Sequence, residues 1–292
     1  MTRPTFDLQS HSVHSDGELR PSQVVANAAL AGVELFALSD HDNIDGVAEA
    51  LDAAAANGIA LVTAVEITAV DESHDDIHLL GYCVDHTDTG LIERLAGSRE
   101  ERVRRSHEMA ESLERAGWSI DLEFLRLVEA EGGTVGRPHL AEALLRDPEN
   151  TQRIAEAGFR NVGDVISELI SRGKEGFVSR EHPTVEEAIG WVHDAGGVAV
   201  YAHPLFPPGE YAQADAEAAL RRYVAAGLDG VECFYTTHTE AETRFLHAVA
   251  TELGLLTTGS ADFHGPNHGH FSEFRSFDTY GLEIRLGPID VR

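Results

Sequence analysis

A short polar stretch near the start of the chain has the residue types of a metal site. Gln9 and His11 follow a short apolar run that begins at Phe6, and Asp16 comes soon afterwards. Alternate residues of a strand point to the same face, so Gln9 and His11 are predicted to lie side by side. Imidazole and carboxylate groups are common ligands of divalent ions, whereas a plain core strand leaves them without partners. The stretch therefore indicates a metal site at the end of a first strand.

Six further imidazole and carboxylate side chains lie at the ends of other predicted strands. These are His41, Glu66, His78, His203, Asp262 and His264. Any one of them alone is better explained as a structural residue that neighbouring groups satisfy. So many acids and imidazoles on one rim would be costly to bury without a cation. Together with Gln9, His11 and Asp16, they predict a site for two or three divalent ions.

The elements that must position these groups alternate between strand and helix. Apolar runs predict strands at 34–38, 59–68, 77–84, 198–202, 230–234 and 255–258, with helices between most of them. Repeated βα units are typical of a parallel sheet or barrel, in which functional groups lie at the carboxyl ends of the strands. The predicted ligands occupy such positions, so the sequence indicates an α/β fold.

The pattern changes at residues 91–174, where apolar residues recur at helical spacing and no strand is predicted. We interpret this segment as a helical insertion in a domain formed by residues 1–90 and 175–292. Residues 94–180 contain 14 Lys or Arg and 16 Asp or Glu, whereas the rest of the chain contains 8 and 34. The insertion could therefore offer a cationic lip to an anionic substrate. A solvated helical face with ion pairs between neighbouring turns explains the charges equally well.

The overall charge of the chain disfavours some classes of binding partner. A formal net charge of −28 opposes capture of long nucleic acid and of phospholipid surfaces, although solubility or a saline habitat also explains it. Cys83 and Cys233 are far apart in sequence, which favours reduced thiols. No signal peptide or membrane span is predicted. We expect a cytoplasmic monomer or small homo-oligomer that acts on a small substrate.

The motifs, in their order, resemble those of the PHP (polymerase and histidinol phosphatase) superfamily. Within it, the chain is most similar to small bacterial phosphoesterases of the TrpH-like, or 3′,5′-nucleoside bisphosphate phosphatase, type. The matching segments are 7–17, 39–42, 136–139, 202–204 and 262–265, together with Glu66 and His78. They extend over essentially the whole chain. The resemblance implies a distorted (β/α)₇ TIM-like barrel with a helical insertion subdomain.

The resemblance also implies a trinuclear metal site. Its three ligand sets would be Gln9, His11, Glu66 and Asp262; Glu66, His78 and His203; and Asp16, His41 and His264. Gln9 departs from the family, which has a histidine at this position. An amide oxygen binds hard ions such as manganese weakly and zinc poorly, so the first set is expected to hold metal weakly, to be empty or to be rebuilt. His268 or His270 could replace the missing imidazole. Manganese is favoured, with zinc, iron or magnesium as alternatives.

Hydrolysis of a phosphate ester is the chemistry that such a site implies, because clustered divalent ions bind phosphate oxygens and generate hydroxide. Glu66 would bridge two ions, and His203 or His264 could protonate the leaving group. The resemblance places Arg137 and His139 over the substrate. Lys174, the only lysine, lies in a glycine-flanked loop and is predicted to contact phosphate, with an exposed loop lysine as the alternative.

Three hypotheses follow. The first is a metal-dependent phosphohydrolase for a small nucleotide, such as a nucleoside 3′,5′-bisphosphate, or for a short oligonucleotide end. The second is a metal-dependent hydrolase of a non-nucleotide ester, such as a sugar phosphate or a histidinol-phosphate-like compound. A nucleotide site would need an apolar or stacking wall for the base, which distinguishes the first from the second. The third, suggested only by Gln9, is a metal-binding homologue without catalysis.

Overall fold

The computed structural model describes residues 4–71, 76–130, 135–180, 182–206 and 213–292. The chain divides into two units, which are Met1–Ala96 with His182–Arg292, and Gly97–Glu181. All nine predicted metal ligands belong to the first unit. None of its described helices, nor any in the second unit, is both long and apolar enough to cross a membrane.

The first three strands form a parallel sheet. β1 (Phe6–Asp7), β2 (Leu35–Phe36) and β3 (Ala60–Leu61) pair in chain order. Helices α1 (Pro21–Leu30) and α2 (Val47–Asn57) supply the crossovers that parallel pairing requires. Proline at the first position of α1, and a left-handed Gly58 after α2, are the expected start and stop residues. The carboxyl ends of β1 and β2 therefore lie side by side, as the sequence predicts.

The other five strands form a mixed sheet. β4 (Ala64–Ala69), β5 (Ile77–Tyr82), β6 (Val198–Tyr201), β7 (Gly230–Tyr235) and β8 (Leu256–Ser260) pair in chain order. β5 runs antiparallel to both of its neighbours, contrary to the prediction of parallel strands. The reason is the short connection from β4, since a parallel crossover needs about a dozen residues or more. The reversal brings the start of β5, with His78, to the edge where β4 and β6 end.

The two sheets approach each other at isolated bridges. These pair Ser10 with Phe263 and His41 with Glu66, while the described strands remain two sheets and do not close into one barrel. The α/β class is thus confirmed, and the closed TIM-like barrel is not what the strand pairing shows. The predicted strand at 59–68 is divided into β3 and β4, which belong to different sheets.

Every regular element among the described residues of the second unit is helical. Helix α3 (Thr89–Arg115) begins in the first unit and continues into the second. It is followed by α4 (Leu122–Ala130), α5 (Arg137–Arg146), α6 (Thr151–Ala157), α7 (Val162–Val165) and a π-helical turn at Ile166–Ile170. These elements enclose an apolar core of their own. Its buried members include Met109, Leu113, Trp118, Leu140 and Leu144.

Three more helices pack in the first unit. They are α8 (Val185–Asp194), α9 (Gln213–Ala225) and α10 (Glu240–Leu253). Capping boxes begin two of them, in which Thr184 pairs with Glu187 and Thr239 pairs with Glu242. The helices alternate with β6, β7 and β8 along the chain, and His203 follows β6 while Asp262 and His264 follow β8.

A buried histidine in the turn before α10 makes stability sensitive to pH. His238 is 5% exposed, and its Nδ1 lies 3.1 Å from the carbonyl oxygen of Cys233. Its Nε2 has no hydrogen-bond partner among the described residues. Burial lowers the pKa of His238 to about 4. The unfolded chain therefore binds this proton first as pH falls, and the stabilisation present above about pH 6.5 is lost as pH approaches 4.

We expect His238→Asn to reduce this loss of stability, because Asn keeps the donor to Cys233 but does not titrate. The wild type should lose up to about 3 kcal/mol more free energy of unfolding than the variant between pH 7.5 and pH 4.5. Urea unfolding in the presence of a chelator measures the difference. His270→Asn, at an exposed position, is the control. Parallel pH profiles for wild type and His238→Asn would show that this histidine does not control acid stability.

Candidate metal centre

Glu66 is the centre of the polar cluster. It lies in β4, is fully buried and directs its two carboxylate oxygens toward different neighbours. Its Oε1 lies 2.8 Å from His78 Nδ1 and 3.2 Å from His203 Nε2. Its Oε2 lies 3.1 Å from His11 Nε2 and 3.4 Å from His41 Nδ1. One carboxylate therefore touches imidazoles that come from the ends of β1, β2, β5 and β6.

Three groups of ligand atoms surround this carboxylate. Within each group, one ligand atom per residue lies within 4.8 Å of the others. The groups are His11, Asp16, His41 and His264; His41, Glu66 and His78; and His11, Glu66 and Asp262. His203 joins them through its contact with Glu66. The structure thus brings together all eight of the predicted imidazole and carboxylate ligands.

Several buried atoms of this cluster lack an ordinary partner. His11 Nε2, His41 Nδ1 and Asp262 Oδ1 are buried, and none has a hydrogen-bond partner among the described residues. His11 Nε2 and Asp262 Oδ1 nevertheless lie only 3.1 Å apart. Buried polar atoms are rarely left unpaired, and converging imidazole nitrogens and carboxylate oxygens are a donor set for zinc, iron or manganese. The residues therefore fit a divalent ion.

The electrostatics of the cluster favour the ionised form of Glu66 and the neutral form of His41, which are the forms that bind a metal ion. Burial alone would raise the pKa of Glu66, but the imidazoles of His41 and His78 outweigh it and hold that pKa well below its usual range. Burial lowers the pKa of His41 to about 4, so its ring is neutral at pH 7. His11 behaves differently. Burial opposes its protonation, but the carboxylates of Asp262 and Glu66 raise its pKa well above the usual value. A metal ion must displace that proton, which makes binding dependent on pH.

Gln9 takes part in the cluster through hydrogen bonds. Its Nε2 donates to Glu66 Oε2 over 3.0 Å, and its Oε1 accepts a bond of 3.4 Å from Ser260 Oγ. The amide nitrogen, which cannot coordinate a metal, thus faces the shared carboxylate. In this orientation Gln9 compensates part of the charge of Glu66 instead of offering an oxygen to an ion.

Asp40 supports the loop that carries Asp16, a role that the sequence interpretation missed. Its Oδ1 accepts from Ser12 N over 2.7 Å and from Ser15 Oγ over 2.7 Å. These bonds fix the turn between His11 and Asp16. The signal was available, because Asp40 precedes His41 in a strand-end motif and is buried beside it.

Two residues of β7 hold other ligands in position and were also missed. Tyr235 Oη donates to Asp262 Oδ2 over 2.7 Å. Glu232 accepts from the backbone N of His203 over 3.0 Å and from Ser260 Oγ over 2.6 Å. His203 and Asp262 have φ angles of 28° and 54°, a region that side chains seldom adopt. Residues in that conformation persist where the surroundings fix them. The sequence did offer a signal for Glu232, because it is a carboxylate within the otherwise apolar strand β7.

The predicted substrate contacts lie in the second unit. Arg137 is the first residue of α5. His139 accepts a hydrogen bond of 3.1 Å at Nδ1 from Gly136 N, so the neutral ring carries its proton on Nε2. Lys174 pairs with Glu168 over 3.0 Å, which offsets its charge. His139 and Lys174 thus make these contacts within their own unit.

Comparison with known proteins supplies relatives over almost the whole chain. A family model described as the PHP domain matches residues 7–189. A 3′,5′-nucleoside bisphosphate phosphatase from Chromobacterium violaceum is 32% identical over 266 residues, covering 90% of this chain and 88% of the relative. A 5′-3′ exoribonuclease, Rnm, from Escherichia coli is 33% identical over 267 residues, covering 89% and 85%.

Solved structures show the same similarity. An amidohydrolase from Chromobacterium violaceum, with bound sulfate and no metal, superposes with a TM-score of 0.77 at 30% identity, covering 98% of this chain and 93% of the other. A candidate metal-dependent phosphoesterase from Bifidobacterium adolescentis gives a TM-score of 0.72 at 29% identity, covering 91% of each chain.

Replacing the central carboxylate should separate metal binding from folding. We expect Glu66→Gln to lose at least about tenfold in metal affinity, and with it hydrolysis of phosphate esters, because two of the three ligand groups share this residue. Elemental analysis after dialysis, together with the thermal unfolding midpoint, measures both effects. Glu93→Gln, at an exposed position of α3, is the control. Metal content and turnover close to those of the wild type would contradict the assignment of Glu66.

Proposed function

The chain belongs to the PHP domain family and is a metal-dependent phosphoesterase, and from this premise we propose that it removes phosphate from small nucleotides. Nucleoside 3′,5′-bisphosphates are the first substrate class that we propose. The observation that carries the proposal is the convergence of imidazoles and carboxylates on Glu66. The chemistry of this donor set suits divalent ions, with manganese favoured.

Bound ions would neutralise a phosphate ester and provide hydroxide at neutral pH. We propose that His11, Glu66 and Asp262 form one ion site, that Glu66, His78 and His203 form a second, and that Asp16, His41 and His264 form a third. The protein residues have further roles. His264 Nδ1 lies 2.7 Å from the carbonyl oxygen of Asp262, which leaves Nε2 facing Asp16. A nitrogen that binds an ion cannot carry a proton, so His264 Nε2, or the imidazole of His203, would protonate the leaving oxygen only where it is not bound to an ion.

Small substrates fit the charge of the chain better than long ones. A net charge of −28 repels a polyanion, and the repulsion grows with the number of phosphates.

The relatives include a bisphosphate phosphatase and an exoribonuclease, so removal of nucleotides from RNA ends is the second candidate function. Release of inorganic phosphate from adenosine 3′,5′-bisphosphate, measured with and without a chelator, tests the first candidate function, which is removal of phosphate from a nucleoside bisphosphate. No chelator-sensitive release would contradict it.

Gln9 leads us to propose that two ions are held firmly and that the group formed by His11, Glu66 and Asp262 binds metal weakly. Its amide donates to Glu66 Oε2, an oxygen that this ion would need. A histidine at position 9 would instead add a nitrogen ligand.

The purified wild type should therefore retain about two equivalents of metal, and Gln9→His should retain about one more. Elemental analysis after extensive dialysis measures the stoichiometry. Gln23→His, on the exposed face of α1, controls for adventitious binding by an added histidine. Three firmly held ions in the wild type would show that Gln9 serves as an ordinary ligand.

The insertion is proposed to hold the part of the substrate that does not react. Its near balance of charges contrasts with the acidic remainder of the chain. Arg137 is the best candidate, since a guanidinium forms paired hydrogen bonds with phosphate. His139 and Lys174 would assist, and the latter would have to exchange Glu168 for phosphate. Binding energy from a second phosphate would orient the reacting ester.

Arg137→Ala should accordingly lower kcat/KM for a nucleoside 3′,5′-bisphosphate by roughly tenfold to a thousandfold while metal content stays unchanged. The wild type should prefer the bisphosphate to the matching monophosphate, and the variant should lose that preference. Steady-state kinetics on both substrates measures this. Arg126→Ala, at an exposed position of α4, is the control. A wild type that prefers the monophosphate, or an undiminished rate in Arg137→Ala, would contradict a phosphate clamp.

A further inference from the structure

An aromatic wall adjoins the metal ligands within the first unit. We define it by four rings, which are Phe206, Tyr235, His268 and Phe271. It touches the ligand cluster at two points. The ring of Phe206 lies 5.8 Å from that of His203, and the ring of His268 stacks on that of His264 at 4.7 Å and 24°. The wall therefore reaches from the ligand at the end of β6 to the ligand beyond β8.

The four rings form one continuous surface with a buried base. Phe271 is the common neighbour, with ring centres 5.6 Å from Phe206, 5.5 Å from His268 and 6.0 Å from Tyr235. Tyr235 and Phe271 are 2% and 8% exposed, whereas Phe206 is half-buried and His268 is exposed. The hydrogen bond from Tyr235 to Asp262 anchors the base of the wall to a metal ligand. The accessible rings of Phe206 and His268 thus pack on the buried ring of Phe271.

The wall is separate from the three apolar clusters. The three apolar clusters that the described residues form contain the phenylalanines at 6, 36, 234, 263, 274 and 277, but none of the four rings of the wall. The accessible rings instead lie beside the cluster of acids and imidazoles. A surface of aromatic rings next to a phosphate site suits a ligand that is both anionic and aromatic.

We propose that the rings of Phe206 and His268 pack against the base of a nucleotide whose phosphate lies at the metal ligands. This inference rests on the proposed function and deepens it, because it requires the substrate to carry a base. Stacking uses the π face that every base has, so the wall would accept purines and pyrimidines alike. The proposal therefore favours a nucleotide over a sugar phosphate without selecting one base.

The test compares adenosine 3′,5′-bisphosphate with the 3,5-bisphosphate of 1-deoxyribose, which has the same phosphates but no base. The wild type should have the lower KM for the nucleotide. His268→Ala and Phe206→Ala should each raise that KM by about tenfold, as expected for one lost stacking contact. They should leave KM for the compound without a base, and kcat for both, nearly unchanged. His268→Phe and Phe206→Tyr keep a ring and should restore the low KM.

His270→Ala is the matched control, because His270 lies in the same exposed loop as His268 but belongs to neither the wall nor the metal-ligand groups found among the described residues. His268 is exposed, so its replacement should not unfold the chain. Equal increases of KM on both substrates, or no increase on either, would overturn the wall as a base-binding surface. So would a wild type that does not distinguish the two compounds while hydrolysing both. A wild type that hydrolyses neither compound would overturn the proposed function as well.

Discussion

The buried carboxylate of Glu66 is the constraint on which the site depends. A fully buried negative charge is strongly destabilising unless opposite charge or hydrogen bonds compensate it. Here imidazoles approach both oxygens and the amide of Gln9 donates to one of them. The four imidazoles come from four different strand ends, and Gln9 shares the end of β1 with His11, so these ends must meet at one edge for the charge to be tolerated. The cost of burial therefore links the metal chemistry directly to the arrangement of the two sheets.

A second layer of contacts keeps the ligands where Glu66 requires them. Asp40 fixes the turn before Asp16, Glu232 holds the backbone of His203, and Tyr235 holds Asp262. Tyr235 bonds to Asp262 Oδ2 and leaves Oδ1, which faces His11, available for an ion. Glu232 bonds to the backbone N of His203 and leaves its imidazole available. Such partners raise metal affinity because they orient the ligands before an ion arrives. Tyr235 also belongs to the aromatic wall, so one side chain connects the positions of a metal ligand and of the proposed base.

The ligand set could be predicted from sequence because each member interrupts an apolar run at a strand end. His78 shows where that reasoning was incomplete. Its position was predicted, but a period of two does not reveal strand direction, and only the short β4–β5 connection explains why β5 reverses. The division between β3 and β4 and the absence of barrel closure among the described strands depend on pairing between distant segments. Glu232 and Tyr235 were missed for a related reason, since their partners are set by the register of β7 against β8.

Gln9 shows how an amide at a strand end can compensate a buried carboxylate. Imidazole and carboxamide are both planar, and each can approach Glu66 from the end of β1, but only the imidazole has a nitrogen lone pair for a metal ion. The amide instead donates a hydrogen bond to the carboxylate, which offsets charge at the same oxygen. Burial of Glu66 thus remains compensated whether or not an ion is bound beside His11 and Asp262. The second and third proposed ligand sets do not include residue 9, so an amide at this position bears only on the first proposed set.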